Sequence, residues 1–331
     1  MGPGGPQALV TVQTAYMQLA RLQRRALALL GAAALICFGL LSWLGLPLWV
    51  ALLGLISVLA GHAFVLALEF FLLACLHRAD PTPRAGIAVL LRAWWTEVCL
   101  AVRVFGWRQP FRSGAVPDVP GRVGMRGIVL VHGYVCNRGL WAPWLERCRA
   151  ESRPCTAIDL EPVFSPLDAY VCQIDRAVAA MQAATGLPPL LVCHSMGGLV
   201  ARAWMASTPG ADQRVHRVLT LGTPHRGTWL ACLSRTINSM HMRSGCQWLR
   251  QLEAREPPER ARRFVCFYSN ADNIVFPPRV AVLPGATERF LAGTPHVALA
   301  FHPEVYREVF ESLDDAAATD AGTRALSSAE A

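Results

Sequence analysis

The sequence predicts an α/β protein built on a mostly parallel, doubly wound sheet and preceded by an N-terminal transmembrane helical hairpin. Three observations predict it. Residues 26–68 contain no Asp, Glu, Lys or Arg. From residue 127 onward, short apolar runs alternate with stretches of helical spacing. Between them, at residues 190–203, an apolar run stops at Ser195 and restarts with helical spacing after Gly197 and Gly198. This reads as strand, sharp turn and helix, a geometry that holds a serine hydroxyl out above the strand ends beside a free backbone N–H.

Composition sets the bounds. The chain has 331 residues, 53% of them hydrophobic, enough for one large domain plus a part that belongs in lipid. The formal net charge is +8. Its arginines are scattered, with no Lys/Arg run and no recognition motif, so nucleic acid is excluded and anionic lipid head groups are the matching partner. Eleven cysteines, an odd number with no C-x-x-C spacing, indicate neither a disulfide scaffold nor a zinc site. They read as mostly buried thiols in a reducing compartment, and no metal or organic cofactor is called for.

Residues 1–25 form an N-terminal segment whose Gly/Pro-rich start is expected to be partly disordered. A membrane span needs about 20 helical residues, so the charge-free run is too long for one crossing. Gly45, Leu46 and Pro47 divide it, giving spans over 26–44 and from 48 onward within a hairpin at 26–78. Glu69 then falls near the exit interface, and His62 reads as a packing histidine. Arg21, Arg24 and Arg25 before the first span, with His77, Arg78 and Arg84 after the second, put both ends in the cytoplasm. A cleaved signal peptide competes, but the apolar region far exceeds a normal signal core. Residues 79–124 read as an interfacial amphipathic helix and linker. Ile87, Leu91, Trp94, Val98, Val102 and Phe105 form the apolar stripe, which could equally pack on the following domain.

The domain at 125–312 opens with a buried strand at 127–131 that runs into His132, Gly133 and Tyr134. A helix at 140–150, a strand at 155–160 and a helix at 167–184 lead to the elbow, and a strand at 215–221 follows. Catalytic groups in such sheets gather at the carboxyl ends of strands, where His132, Gly133, Tyr134 and Ser195 already lie. The stretch at about 225–262 interrupts the alternation and reads as a helical cap. Its Trp229, Leu233, Met240 and Trp248 are candidates for an apolar substrate pocket, although two helices merely packed on the sheet would show the same pattern. A strand at 264–268 ends before Ser269, Asn270, Ala271 and Asp272. Further strands near 280–283 and 289–291 precede Gly293, Thr294, Pro295 and His296. Residues 313–331 lack periodicity and read as a disordered tail.

The elbow His194-Ser195-Met196-Gly197-Gly198, the upstream His132-Gly133-Tyr134 and the Leu221–Thr228 stretch resemble the α/β-hydrolase family, and within it bacterial lipases and esterases. The resemblance covers roughly residues 127–310. It implies an α/β-hydrolase fold in which Ser195 is the nucleophile, Asp272 the acid and His296 the base, in the family's chain order. It also implies that the backbone N–H groups of Tyr134 and Met196 form the oxyanion hole, with His132 shaping the loop. His225 precedes the acid and His302 lies at a helix start, which makes both weaker candidates for the base; Asp159 and Asp212 are weaker candidates for the acid. Cys193 departs from the family pattern by replacing the first glycine of the elbow. The implied protein is a membrane-anchored carboxylic ester hydrolase of lipid-like acyl esters in the bacterial inner membrane, its catalytic domain cytoplasmic. Alternatives are a thioesterase or acyltransferase with the same triad, a non-catalytic tethered scaffold, and part of a transport assembly. Oligomeric state is left open.

Overall fold

The computed structural model describes residues 18–77 and 80–313. The expected disorder at the extreme N-terminus and in the tail falls outside the described residues, as does Arg78. From residue 128 the chain is organised on six strands: β1 (Ile128–Val131), β2 (Cys155–Ile158), β3 (Leu190–His194), β4 (Arg217–Leu221), β5 (Phe264–Tyr268) and β6 (Thr287–Phe290). All neighbours pair in parallel, in the order β2-β1-β3-β4-β5-β6. Strand order therefore reverses at β1, the place where an open parallel sheet leaves a crevice at its carboxyl edge. Pairing of Val131 with Cys193 sets the ends of β1 and β3 side by side there.

Side-chain alternation builds two cores from the same strands. Ile128, Leu130, Leu190, Val192 and Leu219 face one side with Trp141 and Trp144; Val129, Val131, Leu191, Cys193 and Val218 face the other with Leu199 and Trp204. A strand covered on both faces has no polar position to spare, which is why β1 and β3 read as unbroken apolar runs. Each fully buried Leu, Val or Ile contributes about 1.5–3 kcal/mol. The strand expected at 280–283 is instead a 3-10 turn, Pro278–Ala281. Pro277 and Pro278 supply no ladder donors. The strand expected at 289–291 is the edge strand β6, at Thr287–Phe290.

The N-terminal region departs most from expectation. Helix α1 (Gln18–Trp43) starts before the charge-free run, and the amides of Gln18 and Leu19 donate to Glu161 Oε1 at 3.0 and 3.5 Å. It is long and apolar enough to cross a membrane, and almost none of its apolar surface is buried in the fold. A turn at Gly45 (φ 74°) leads to α2 (Leu48–Leu59), with Trp43 and Trp49 exposed on either side of it. The second apolar run is not one straight helix. It breaks at Ala60 and continues as α3 (Gly61–Leu76), bent by 56°. The bend returns α3 to the sheet domain, where Phe70 and Leu73 pack with Ala271 and Phe276. Burying that face in protein offsets the broken backbone hydrogen bonds.

Helix α4 (Ile87–Ala101) continues through a π-helical stretch, Val102–Arg108, and a last turn, Gln109–Arg112. Its expected stripe is split: Trp94 and Phe105 are half-buried and Val98 buried, whereas Ile87, Leu91 and Val102 are exposed. The buried face is Ala93, Glu97 and Val98, because α4 packs on the sheet domain. The remaining helices are α5 (Ala142–Ala150), α6 (Val171–Thr185), α7 (Met196–Ser207), α8 (Ile237–His241), α9 (Gln247–Glu253) and α10 (His296–Leu299), followed by a helix at 303–313. All eleven cysteines are free thiols, but only five are buried. The others are half-buried or exposed, five of them on helices or a 3-10 turn and Cys246 in the extended residue before α9.

Candidate active site

Ser195 sits between β3 and α7 with φ 54° and ψ −124°, a conformation a non-glycine residue adopts only where its surroundings hold it. They do so at both ends. The Ser195 amide donates to Leu221 O at 2.8 Å, and Thr223 Oγ1 donates to Ser195 O at 2.8 Å. Small residues make the turn possible: a Cβ at Gly197 would lie 2.7 Å from His132 O, and one at Gly198 would lie 2.2 Å from Thr223 Oγ1. Helix α7 thus crosses the strands closely on its own glycines. Cys193 is fully buried among core side chains, and burial pushes its thiol well up, so it packs as a small apolar group.

The loop after β1 lies directly against the serine, since a Cβ at Gly133 would lie 2.8 Å from Ser195 Cβ. Its histidine shapes it. The amide of Leu160 donates to His132 Nε2 at 2.9 Å, so the ring proton is on Nδ1, which donates to Gly133 O at 2.9 Å. Burial lowers the His132 pKa to about 4, keeping it neutral. Val135, β-branched, takes φ 52° at the end of this loop, a strain that composition does not announce. Tyr134 places its hydroxyl 2.9 Å from Thr236 Oγ1, which ties the loop to the segment above it. Met196 is the first residue of α7, where a helix has no internal partner for its N–H.

Asp272 and His296 come together from two loops. The Nδ1–H of His296 donates to Asp272 Oδ1 and Oδ2 at 2.9 and 3.0 Å, and Oδ1 also accepts from the Ile274 and Val275 amides. The loops are sewn to one another. Ser269 Oγ accepts from the Thr294 amide, Asn270 Oδ1 from that of Gly293, and Asn273 Oδ1 from that of His296. Gly222 (φ 57°) passes so close that a Cβ would lie 2.7 Å from Asp272 Oδ2. His194 Nε2–H donates to His296 O at 3.1 Å, and its ring centroid lies 4.6 Å from that of His296. Burial pushes His194 down to about 3. Burial alone also lowers His296, but the charge and hydrogen bond of Asp272, with the carboxylates of Glu97 and Glu69, raise it above the ordinary histidine value.

Two cavities meet at Ser195. One, about 340 Å³, runs under the 229–242 segment and is lined by Thr228, Leu230, Ala231, Leu233 and Met242. The other, about 370 Å³, is roofed by α3 and α4 through His62, Val65, Leu66 and Glu97, and it contains Ser195 and His296. Tyr134, Glu69 and Ile274 line both. Of the four expected pocket residues, Leu233 lines the first cavity; the other three do not line either. Trp229 stacks on Phe276, Met240 is exposed, and Trp248 donates to Asp168 while stacking on His241. Their places are taken by Leu230 and Ala231, from within the 3-10 turn Trp229–Leu233, and by Met242, at the end of α8.

The weaker candidates lie elsewhere. His225 is buried beside Thr220 and Cys266, and His302 caps the Glu304 amide. Asp159 accepts from the Arg138 amide, and Asp212 pairs with Arg260. Three residues near the site were not anticipated. Glu69 accepts from Asn273 Nδ2 at 2.7 Å, Glu97 accepts from the Val297 amide at 2.8 Å, and His194 holds the His296 carbonyl. Burial pushes the Glu97 carboxyl up to about 7. A carboxylate on the buried face of an apolar helix was the available signal for Glu97. Among the described residues no cluster of His, Cys, Asp and Glu could hold a metal ion.

Residues 128–328 match the model of the alpha/beta hydrolase family. The fold is similar to that of the Bacillus licheniformis lipase BlEst2 in mature form, at 18% identity over 60% of this chain and 95% of that one, with a TM-score of 0.52. A monoacylglycerol lipase from Paleococcus ferrophilus aligns at 15% identity over 58% of this chain and 96% of that one, with a TM-score of 0.42. No curated protein sequence matches the chain.

Proposed function

The chain belongs to the alpha/beta hydrolase family, and from that premise we propose that it is a membrane-anchored serine hydrolase cleaving lipid-like acyl esters. One observation carries the reading. Ser195, on a strained strand-to-helix turn, shares a cavity with His296, whose Nδ1–H is bound by Asp272. In this mechanism Ser195 Oγ attacks the ester carbonyl while His296 Nε2 takes its proton and passes it to the leaving alcohol. Asp272 fixes the imidazole tautomer and stabilises the imidazolium. The Tyr134 and Met196 amides receive the oxyanion, and water then hydrolyses the acyl-enzyme with His296 acting again. Two preorganised donors at an oxyanion are worth several kcal/mol, about 2.7–4 for one of them.

Support for a lipid-like substrate comes from the two cavities that flank Ser195, mostly apolar in their walls, and from the exposed apolar surface of α1, α2 and α3. The hairpin at 26–78 is read as the anchor and 125–312 as the catalytic domain, on the cytoplasmic face of a bacterial inner membrane. Thioester cleavage or acyl transfer would use the same groups with a different leaving group or acceptor. The deciding experiment is Ser195→Ala in full-length protein, which is expected to abolish both p-nitrophenyl ester hydrolysis and labelling by a fluorophosphonate. Undiminished hydrolysis by the purified variant would remove the reading, and wild-type protein that resists labelling would favour a non-catalytic scaffold.

A further inference from the structure

Helices α3 and α4 lie outside the sheet, yet each sends one carboxylate to the paired loops that hold His296: Glu97 to the loop that carries it, and Glu69 to Asn273 on the neighbouring Asp272 loop. Helix α10 begins at His296 and has only four residues, so its first amides find no partner within it. Both are taken from outside. The His296 amide donates to Asn273 Oδ1 at 3.3 Å, and the Val297 amide donates to Glu97 Oε1 at 2.8 Å. Asn273 is itself held, its Nδ2 donating to Glu69 Oε2 at 2.7 Å. Glu97 is 2% exposed, and its Oε2 has no hydrogen-bond partner among the described residues. On a face shared with Ala93 and Val98, an apolar side chain would avoid the cost of burying a carboxylate. The position therefore does something that packing does not require.

We propose that Glu69 and Glu97 are positioning residues that hold the backbone of His296 in register with Ser195, so that the N-terminal helices form part of the active centre. This rests on the reading of Ser195 and His296 as nucleophile and base. Asp272 orients the imidazole about its own axis; the two glutamates fix where that imidazole is mounted. In their ionised forms both carboxylates add to the effect of Asp272 in raising the His296 pKa, beside a neutral His194. A base mounted about 1 Å out of place costs on the order of 100-fold in rate.

The test compares Glu97→Ala with Glu97→Gln, and Glu69→Ala with Glu69→Gln, in full-length protein. The readouts are the rate of fluorophosphonate labelling at Ser195, kcat for a p-nitrophenyl ester, and Tm. The alanine variants are expected to slow labelling and kcat together by about 10–100-fold. The glutamine variants keep an acceptor oxygen and are expected to recover to within about threefold of wild type, a rescue that loss of packing alone would not produce. Alanine variants that melt with wild type and label at its rate would overturn the proposal, as would glutamine variants as slow as their alanine counterparts. If Glu97→Ala does not fold, the half-buried Glu69 pair decides by the same criteria. Wild-type protein that is not labelled at Ser195 overturns the hydrolase reading and this proposal with it, and is told apart because it appears before any substitution.

Discussion

At His296 two opposing effects set the chemistry. Burial favours the neutral ring, whereas Asp272, and behind it Glu97 and Glu69, favour the protonated one, and the carboxylates win. A base must be neutral to accept a proton, so kcat/KM is expected to fall as pH drops through the His296 pKa, with the midpoint above the ordinary value of 6.5. Asp272→Asn removes the strongest influence raising that pKa. The acid limb of the kcat/KM profile is then expected to move to lower pH while kcat falls by up to about 10⁴-fold. A limb that stays in place would mean that Asp272 does not govern this ring. Ser195, Asp272 and His296 were proposed from the sequence because motif, strand end and chain order agreed, and the fold brings the Asp272 carboxylate to the His296 ring. Glu69 and His194 were not, because neither stands out until the fold brings Asn273 and the His296 carbonyl to them. Trp229, Met240 and Trp248, expected to form an adaptable apolar lining, wall neither cavity. Which way a side chain points from a short 3-10 turn or a one- or two-turn helix depends on phase, and composition carries no phase.

Elements show the same division. Every sheet strand has its counterpart in the sequence reading, β6 with its bounds shifted from 289–291 to Thr287–Phe290, and the elbow was placed by the glycines after Ser195. Cys193 fits where the family pattern has a glycine because its side chain is fully buried among the apolar groups of the core. Hydropathy overestimated the regularity of the second apolar run, since it scores transfer to an apolar medium and cannot tell lipid from protein core. Helix α3 goes partly to protein, hence the 56° bend. The ends of α1 and α3 both lie at the sheet domain, and the turn at Gly45 with Trp43 and Trp49 lies at the far end. Reporters of sidedness are therefore expected to place Gly45 across the membrane from a reporter fused after residue 313. Both reporters on one side would rule out the hairpin as a pair of crossings, and a purified chain lacking its first residues by mass would identify α1 as a processed leader.

On the scale of the molecule, the proposed catalytic centre lies where three units meet: the carboxyl edge of the sheet, the 229–242 segment and the N-terminal helices. Ser195 has an apolar chamber on each side, one walled by the sheet domain and its insertion, the other by helices whose outer faces are exposed apolar surface. Such a site favours esters with apolar groups on both sides of the scissile bond. In a series of p-nitrophenyl and glycerol esters, kcat/KM is expected to rise with acyl length from two carbons onward and to rise further for long chains presented in vesicles. A profile that declines from acetate upward, with no response to vesicles, would assign a small soluble ester instead.

From its sequence alone this protein had its class, its parallel order of strand and helix, its apolar N-terminal region and the three side chains proposed for catalysis, because each is written in local pattern: periodicity, charge-free length, or a motif at a strand end. Tertiary structure alone decided that α3 folds back over the site, that Glu69 reaches the Asp272 loop and Glu97 the His296 loop, and which side chains wall the cavities. Those contacts join residues about two hundred positions apart, such as Glu97 and Val297. No local pattern encodes such a pairing, which exists only once the buried faces of distant elements have found each other.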